Sequence, residues 1–298
     1  MKVAMSPPAQ NNTRGIWLMV LAMAAFAIAD TIIKFVTRSM AVPHIVFLLM
    51  VGGLVIFIAL AWINGEVLLN RLAFARVLLL RYAAEILGTF GMITALSKVD
   101  LTIVGAILQA TPLVVAAGAV LFLGETVSWR RWSAIFVGFC GVLLIIRPGT
   151  AAFDVNVVWP LLAMFGLAAR DLATRLTPPE LGSATLSSYT MAAALPFAAL
   201  WAMMSEGRLM PEELDHLMTF GMILFSALGY FFITLSVRMA EVSVVSPFRY
   251  SRLLFLLILG VIFFAERPDA LTLSGAAIIV IAGIYTMWRD RLMRHGAS

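Results

Sequence analysis

Charge is scarce in this 298-residue chain: 12% of its residues are Asp, Glu, Lys or Arg, where soluble domains carry about 25%. Hydrophobic residues make up 62%. That leaves too little polar side chain to cover a water-facing surface, which excludes a soluble enzyme and a disordered chain. The single cysteine, Cys140, sits in an apolar run, so there is no intrachain disulfide and no metal-ligand spacing. Three histidines, His44, His216 and His295, fall in expected loops or at the terminus. No metal site or catalytic constellation is therefore expected. A Gly-rich phosphate loop is also missing, so neither ATP drive nor a cofactor is expected. No Gly-Tyr-Gly filter or acidic ring argues for an ion channel. The net charge of +5 comes from basic residues standing singly between apolar runs, which gives nucleic acid no patch to bind.

What the chain has is long apolar segments. A spanning helix needs about 20 such residues, because the hydrocarbon core is about 30 Å thick. Ten segments qualify, near 16–35, 43–63, 75–97, 101–123, 131–147, 155–176, 181–204, 217–237, 242–265 and 270–288. They are continuous rather than alternating, so a membrane barrel is excluded. The fold class expected is an all-α polytopic membrane protein whose environment is a lipid bilayer. The longest connection, Glu206 to His216, carries Pro211, Glu212, Glu213 and Asp215 and reads as a solvated loop.

The two halves repeat. At an offset of 141 residues Asp30 falls on Asp171, Gly88 on Gly229, Asp100 on Glu241 and Glu125 on Glu266. Leu123-Gly124-Glu125 matches Phe264-Ala265-Glu266, and Asp30…Lys34 matches Asp171…Arg175. Several coincidences at one offset point to duplication. The first segment, which imitates a signal peptide with Arg14 ahead of an apolar stretch, is thus needed and is read as uncleaved. Five helices per half is an odd number, so the halves sit in opposite orientations, a recurring design of secondary transporters. The expected division is a tail over 1–15, a first five-helix repeat over 16–147, a second over 155–288 and a tail over 289–298. With both termini cytoplasmic, twelve Lys and Arg face the cytoplasm against six on the far side. Without Arg170 and Arg76, which lie inside helix ends, ten still stand against six, as the positive-inside rule requires.

Charges inside the segments carry the functional signal, because a charge at bilayer depth costs from about 2.5 kcal/mol upward. In segment nine Arg249 lies about 10 Å and Arg252 about 15 Å from the segment's start, on one face. Pro247, just before them, removes a backbone donor and predicts a kink. The matching positions of the first half, Leu108 and Thr111, carry no charge. Guanidinium groups suit a carboxylate, sulfonate or phosphate, so one reading is an anion site. The other is that an arginine only neutralises Glu85. Glu85 lies about 14 Å along segment three and can pair with Arg81, four residues earlier. A proton-coupling group and a neutralising partner are both open roles for it. Tyr82, Tyr250 and Gln109 are candidate hydrogen-bonding partners of a ligand, or packing residues.

Segments one and six carry the repeated pairs Asp30–Lys34 and Asp171–Arg175, read either as an outer and an inner gate or as helix-end neutralisation. Glu125 and Glu266, at helix ends, read as interface elements. Gly52-Gly53, Gly88 with Gly91 and Gly138 with Gly141 let helices approach closely. Trp17, Trp62, Trp129, Trp132, Trp159 and Trp288 sit near segment ends as interfacial anchors.

With ten helices, inverted halves and a Gly/Ala-Glu closing the fourth helix of each half, the chain resembles the EamA family of the drug/metabolite transporter superfamily, ten-helix type, from about Ile16 to Trp288. The resemblance implies a central cavity walled mainly by helices three, four, eight and nine, with one and six nearby. The expected function is secondary transport of small organic metabolites by alternating access, in a bacterial inner membrane, by a monomer or homodimer. Arg249 and Arg252 favour an anionic or zwitterionic substrate such as an amino acid or related organic anion. The alternative is a membrane-embedded transferase for an acyl or lipid-linked substrate.

Overall fold

A computed structural model describes residues 12–68, 70–123, 129–148, 150, 153–178, 181–211, 215–240 and 245–295. Among them there are helices and turns but no strand. The helices are α1 (Asn12–Val36), α2 (Val42–Ile63), α3 (Arg76–Lys98), α4 (Leu101–Leu108), α5 (Thr111–Leu123), α6 (Trp129–Ile146), α7 (Val158–Arg175), α8 (Ser183–Glu206), α9 (His216–Met239), α10 (Ser251–Phe264) and α11 (Ala270–His295). Segment four is α4 followed by α5. Segment nine is a 3-10 stretch, Ser246–Tyr250, followed by α10. Among the described residues seven spans are long and apolar enough to cross a membrane, and α6 and α11 carry shorter apolar stretches. Trp17, Trp62, Phe136, Ile262 and Ile281 point outward, exposed, as lipid-facing side chains must. The protein is an all-α polytopic membrane protein with two inverted five-helix repeats.

The packing follows the repeat. The most extensive pairings are α1 on α9, α3 on α7, α2 on α8 and α6 on α11, followed by α1 on α10, α5 on α7 and α4 on α10. In segment numbers these are one–eight, three–six, two–seven and five–ten, then one–nine, four–six and four–nine. Adding five to each number exchanges one–eight with three–six and one–nine with four–six, and returns two–seven, five–ten and four–nine to themselves, as a pseudo-two-fold axis demands. Each of these pairings also joins the first half to the second.

Both halves break the same segment at the same place. Sequence reading expected 101–123 as one helix, yet the α-helix stops at Leu108 and restarts at Thr111. The cause is Pro112, whose ring nitrogen cannot donate to the Leu108 carbonyl. The Thr111 hydroxyl donates to that carbonyl instead, at 2.6 Å. Gln109, at the break, is 141 residues before Tyr250, where the 3-10 stretch of segment nine gives way to α10. There the Ser251 hydroxyl donates to the Phe248 carbonyl at 2.7 Å. Pro247 lies within the 3-10 stretch; residues 241–244, which the expected kink involves, lie outside those described.

Helix contact in lipid rests on close van der Waals packing, which small residues permit. The tightest case is α3 on α7. A Cβ on Gly166 would stand 2.5 Å from the Gly88 backbone nitrogen, and one on Gly91 would stand 2.9 Å from that of Ala163. Backbone meets backbone there, so neither helix can yield locally. Gly166→Val is expected to destabilise the folded protein by about 1–3 kcal/mol, the range for overpacking. Gly53→Ala, whose Cβ would meet only the flexible Met191 side chain at 3.2 Å, is expected to be near neutral. Thermal unfolding of the two purified variants checks the contrast.

Candidate substrate site

The spanning charges collect between α1, α3, α7 and segment nine. Arg252, at the start of α10, reaches α1. Its Nη2 donates to Asp30 Oδ2 at 2.5 Å and its Nε to the same oxygen at 3.2 Å. The Asp30 side chain is 8% exposed and that of Arg252 25%, and the guanidinium also lies over the Phe26 ring, 5.5 Å from its centre. The expected Asp30–Lys34 pairing does not form. Asp30 faces inward to a guanidinium that gives it two donors. Lys34, one turn on, leaves the membrane's middle and donates to the Val99 carbonyl at 2.5 Å, with Glu266 at 3.6 Å.

Glu85 is likewise redirected. Of the cations that the neutralising role offers it, Arg81, Arg249 or Arg252, none is its ion-pair partner among the described residues; its carboxylate faces α7 and lies 3.3 and 3.4 Å from Arg170 Nη1. Arg170 also donates from Nε and Nη2 to Asp171 Oδ1, at 2.9 and 2.8 Å. Counted from sequence as a helix-end cation, Arg170 is instead the centre of a Glu85–Arg170–Asp171 network. Its i and i+1 position beside Asp171 gave no helical-pairing signal, so spacing rules passed over it. Arg81 turns to hydroxyls, donating from Nε to Thr174 at 2.9 Å and from Nη1 to Thr190. The Arg175 side chain, the expected partner of Asp171, lies outside those described.

Arg249 differs from its neighbours. Asp171 and Arg170 are within electrostatic range of it, yet among the described residues no carboxylate oxygen comes within 4.0 Å of its guanidinium. Its side chain is exposed although it stands in a spanning segment. The Gln109 carboxamide donates to its backbone carbonyl at 3.4 Å, joining the breaks of segments four and nine. Neither tyrosine hydroxyl joins this group. Tyr82 donates to the Ala73 carbonyl at 3.1 Å within an apolar cluster of Leu78, Leu181 and Leu186. Tyr250 is buried, its hydroxyl packed against Gly283 without a hydrogen-bond partner. Helices three, six, nine and one supply the charged groups, with helix four contributing Gln109.

A hollow of about 220 Å³ lies beside the start of α4 and the end of α10, lined by Asp100, Arg147, Glu266, Arg267 and Asp269 among others. Most of its charge is already committed. Arg147 holds Asp269 at 2.5 Å, and its hydrogen bond keeps that carboxyl well below the usual carboxylate range. Glu266 accepts from the backbone N–H of Leu101 at 2.5 Å and of Thr102 at 2.9 Å, and from the Thr102 hydroxyl at 2.8 Å. It therefore caps α4 from the other half of the chain, favoured by the helix dipole. Asp100, at the cap position itself, makes no capping bond. Ala265, in the left-handed region at φ +53, turns the chain so that Glu266 points back. The repeat-related Glu125 and Glu241 lie outside the described residues.

The EamA-like transporter family matches residues 13–147 and 155–288. The chain belongs to that family. The EamA-like transporter is 23% identical to the S-adenosylmethionine uptake transporter of Rickettsia felis, over 93% of each chain. It is 29% identical to a riboflavin transporter of Brucella anthropi, over 91% of this chain and 98% of that one. With the pseudopaline exporter CntI of Pseudomonas aeruginosa it shares 26% identity, over 91% and 94%. A solved crystal structure with 16% sequence identity covers 94% of this chain and 99% of its own, at a TM-score of 0.62, a likeness of fold. These matches make the protein a metabolite transporter of the membrane and not an enzyme, so the transferase alternative is not favoured.

The Asp30–Arg252 pair gives a direct test. Removing one member of a buried pair leaves an uncompensated charge and costs about 3–5 kcal/mol, whereas removing both costs far less. Asp30→Asn is expected to lower the melting temperature markedly, and Asp30→Asn with Arg252→Gln to recover most of the loss. A double-mutant cycle by thermal unfolding in detergent checks it, and additive losses would rule out the coupling.

Proposed function

We propose that the protein is a secondary transporter that carries a small metabolite bearing an anionic group, by alternating access between its inverted halves. One observation carries the reading: the exposed Arg249 guanidinium, in a spanning segment, with no carboxylate in contact among the described residues. Around it the arginines Arg81, Arg170, Arg249 and Arg252 stand against the carboxylates Asp30, Glu85 and Asp171. Among the described side chains this group therefore holds one more guanidinium than carboxylate, and a monoanionic ligand makes it neutral. A guanidinium offers a carboxylate two parallel donors, which a lysine does not.

Asp171 adds a feature for zwitterions. Both of its bonds to Arg170 use Oδ1, and Oδ2 accepts none among the described residues. A free carboxylate oxygen and a free guanidinium, held apart, suit a ligand with an ammonium next to its carboxylate. S-adenosylmethionine, named for one set of relatives, has such an end, and riboflavin, named for another, has none. Relatives named for uptake and for export share this architecture, so the architecture does not set direction. The Lys and Arg bias supports both termini in the cytoplasm of a bacterial inner membrane.

Proteoliposome uptake of anionic, zwitterionic and cationic metabolites, S-adenosylmethionine and riboflavin included, tests the substrate. Substrates carrying a carboxylate are expected to compete with one another. Arg249→Ala should weaken their binding about tenfold or more, the worth of a hydrogen bond to a charged group. Arg249→Lys should keep part of the affinity. Transport confined to permanent cations, or normal transport by Arg249→Ala, would remove the anion site. Reporter fusions at Ser298 and within the 206–216 loop are expected to report opposite sides of the membrane, and a shared side would overturn the orientation.

A further inference from the structure

The bonds that hold Arg170 are unequal. Its Nε–Nη2 edge grips Asp171 Oδ1 at 2.9 and 2.8 Å, the usual length of a charge-assisted hydrogen bond. Its Nη1 meets both oxygens of Glu85 only at 3.3 and 3.4 Å. Among the described residues the one other hydrogen-bond partner of Glu85 is the Thr89 hydroxyl, at 3.5 Å. The carboxylate is thus close enough to neutralise Arg170 and too far to be held firmly.

One turn earlier on the same helix stands a cation with the opposite problem. Arg81 is 8% exposed and its two hydrogen bonds go to the neutral hydroxyls of Thr174 and Thr190. Among the described residues no carboxylate oxygen comes within 4.0 Å of it, although Glu85 is within electrostatic range. A buried guanidinium with spare donors and no anion is costly. Arg81 and Glu85 are four residues apart, so their side chains share a face of α3.

From this geometry, and resting on the anion site proposed above, we infer that Glu85 is a resident counter-anion that substrate displaces. With the site empty, Glu85 neutralises Arg170. An arriving carboxylate takes Arg249 and Arg170, and Glu85 turns along α3 to Arg81. The exchange needs only a side-chain rotation. It leaves Arg170 paired at every stage and gives Arg81 an anion when the site is filled. No proton is required, so the role differs from that of a protonation site.

The test uses the purified full chain in nanodiscs and acetate, the smallest carboxylate that can take Glu85's place. Thermal stability is followed against acetate at constant ionic strength and pH. Glu85→Gln removes the competing anion and is expected to lower the acetate midpoint about tenfold. Glu85→Asp, whose carboxylate is one methylene short of Arg170, should lower it less. Arg81→Gln leaves Glu85 no second partner and should raise the midpoint. A purely structural role would reduce the melting temperature of these variants and leave the midpoint where it was. An unmoved midpoint in Glu85→Gln, with acetate response still lost in Arg249→Ala, overturns the displacement and keeps the anion site. No acetate response in any variant overturns the displacement, and an acetate response unchanged by Arg249→Ala overturns the anion site itself.

Discussion

The structure depends on the cost of bare charge in a medium that cannot solvate it. Every ionised side chain placed in a spanning helix needs a counter-charge, a set of donors or a wet recess, and each choice ties one helix to another. Asp30 fixes α1 to α10 through Arg252. Glu85 and Arg170 fix α3 to α7. Arg81 spans from α3 to α7 and α8 through hydroxyls. The same groups that a ligand would meet are the ones that set the relative positions of the helices. Binding and helix arrangement therefore share one set of interactions, and a ligand that repartners a charge shifts the balance between arrangements.

The two membrane faces are secured differently. At the face opposite the N-terminus, Glu266 caps α4 and Lys34 draws α1 towards the same point, so segments one, four and nine converge on one carboxylate. At the N-terminal face Glu66 accepts from the backbone N–H of Ala184 and Thr185 at the start of α8. The Tyr189 hydroxyl donates to the Leu68 carbonyl there. Those links join loops to helix ends and leave the Glu85–Arg170–Asp171 network partly exposed between them. Carboxylates capping helices in the opposite half recur at both faces, a use of the helix dipole that does not require proximity in sequence.

Segment positions, the duplication and the inverted topology were legible because each leaves a one-dimensional trace: length of apolar run, offset of matching residues, parity of helix count. The identity of the charged residues in the membrane was legible for the same reason. Their partners were not. Spacing rules see neighbours on one helix, and so favoured Asp30–Lys34 and Arg81–Glu85. The structure joins Asp30 to a residue 222 positions away and Glu85 to one 85 positions away. The break in segment four was within reach, since Pro112 removes a donor inside an expected helix and Thr111 is placed to compensate. Arg170 was obscured by its closeness to the segment end. The trans-capping by Glu266 could not be read at all, because nothing local links a glutamate after one helix to the start of another 164 residues before it.

The helix pairings described above have a bearing on how such a chain is made. Each of the five most extensive joins a helix of the first half to one of the second. As synthesis proceeds, the first five segments enter the bilayer without the surfaces they will finally touch. Until the second half is inserted, Asp30 has no Arg252, Glu85 has no Arg170 and the start of α4 has no Glu266. Insertion of the early segments rests on hydropathy and flanking charge, and the contacts between halves form only once the second half is in the bilayer. The halves are a sequence repeat but not two folding bodies; physically they are an interleaved antiparallel dimer written on one chain.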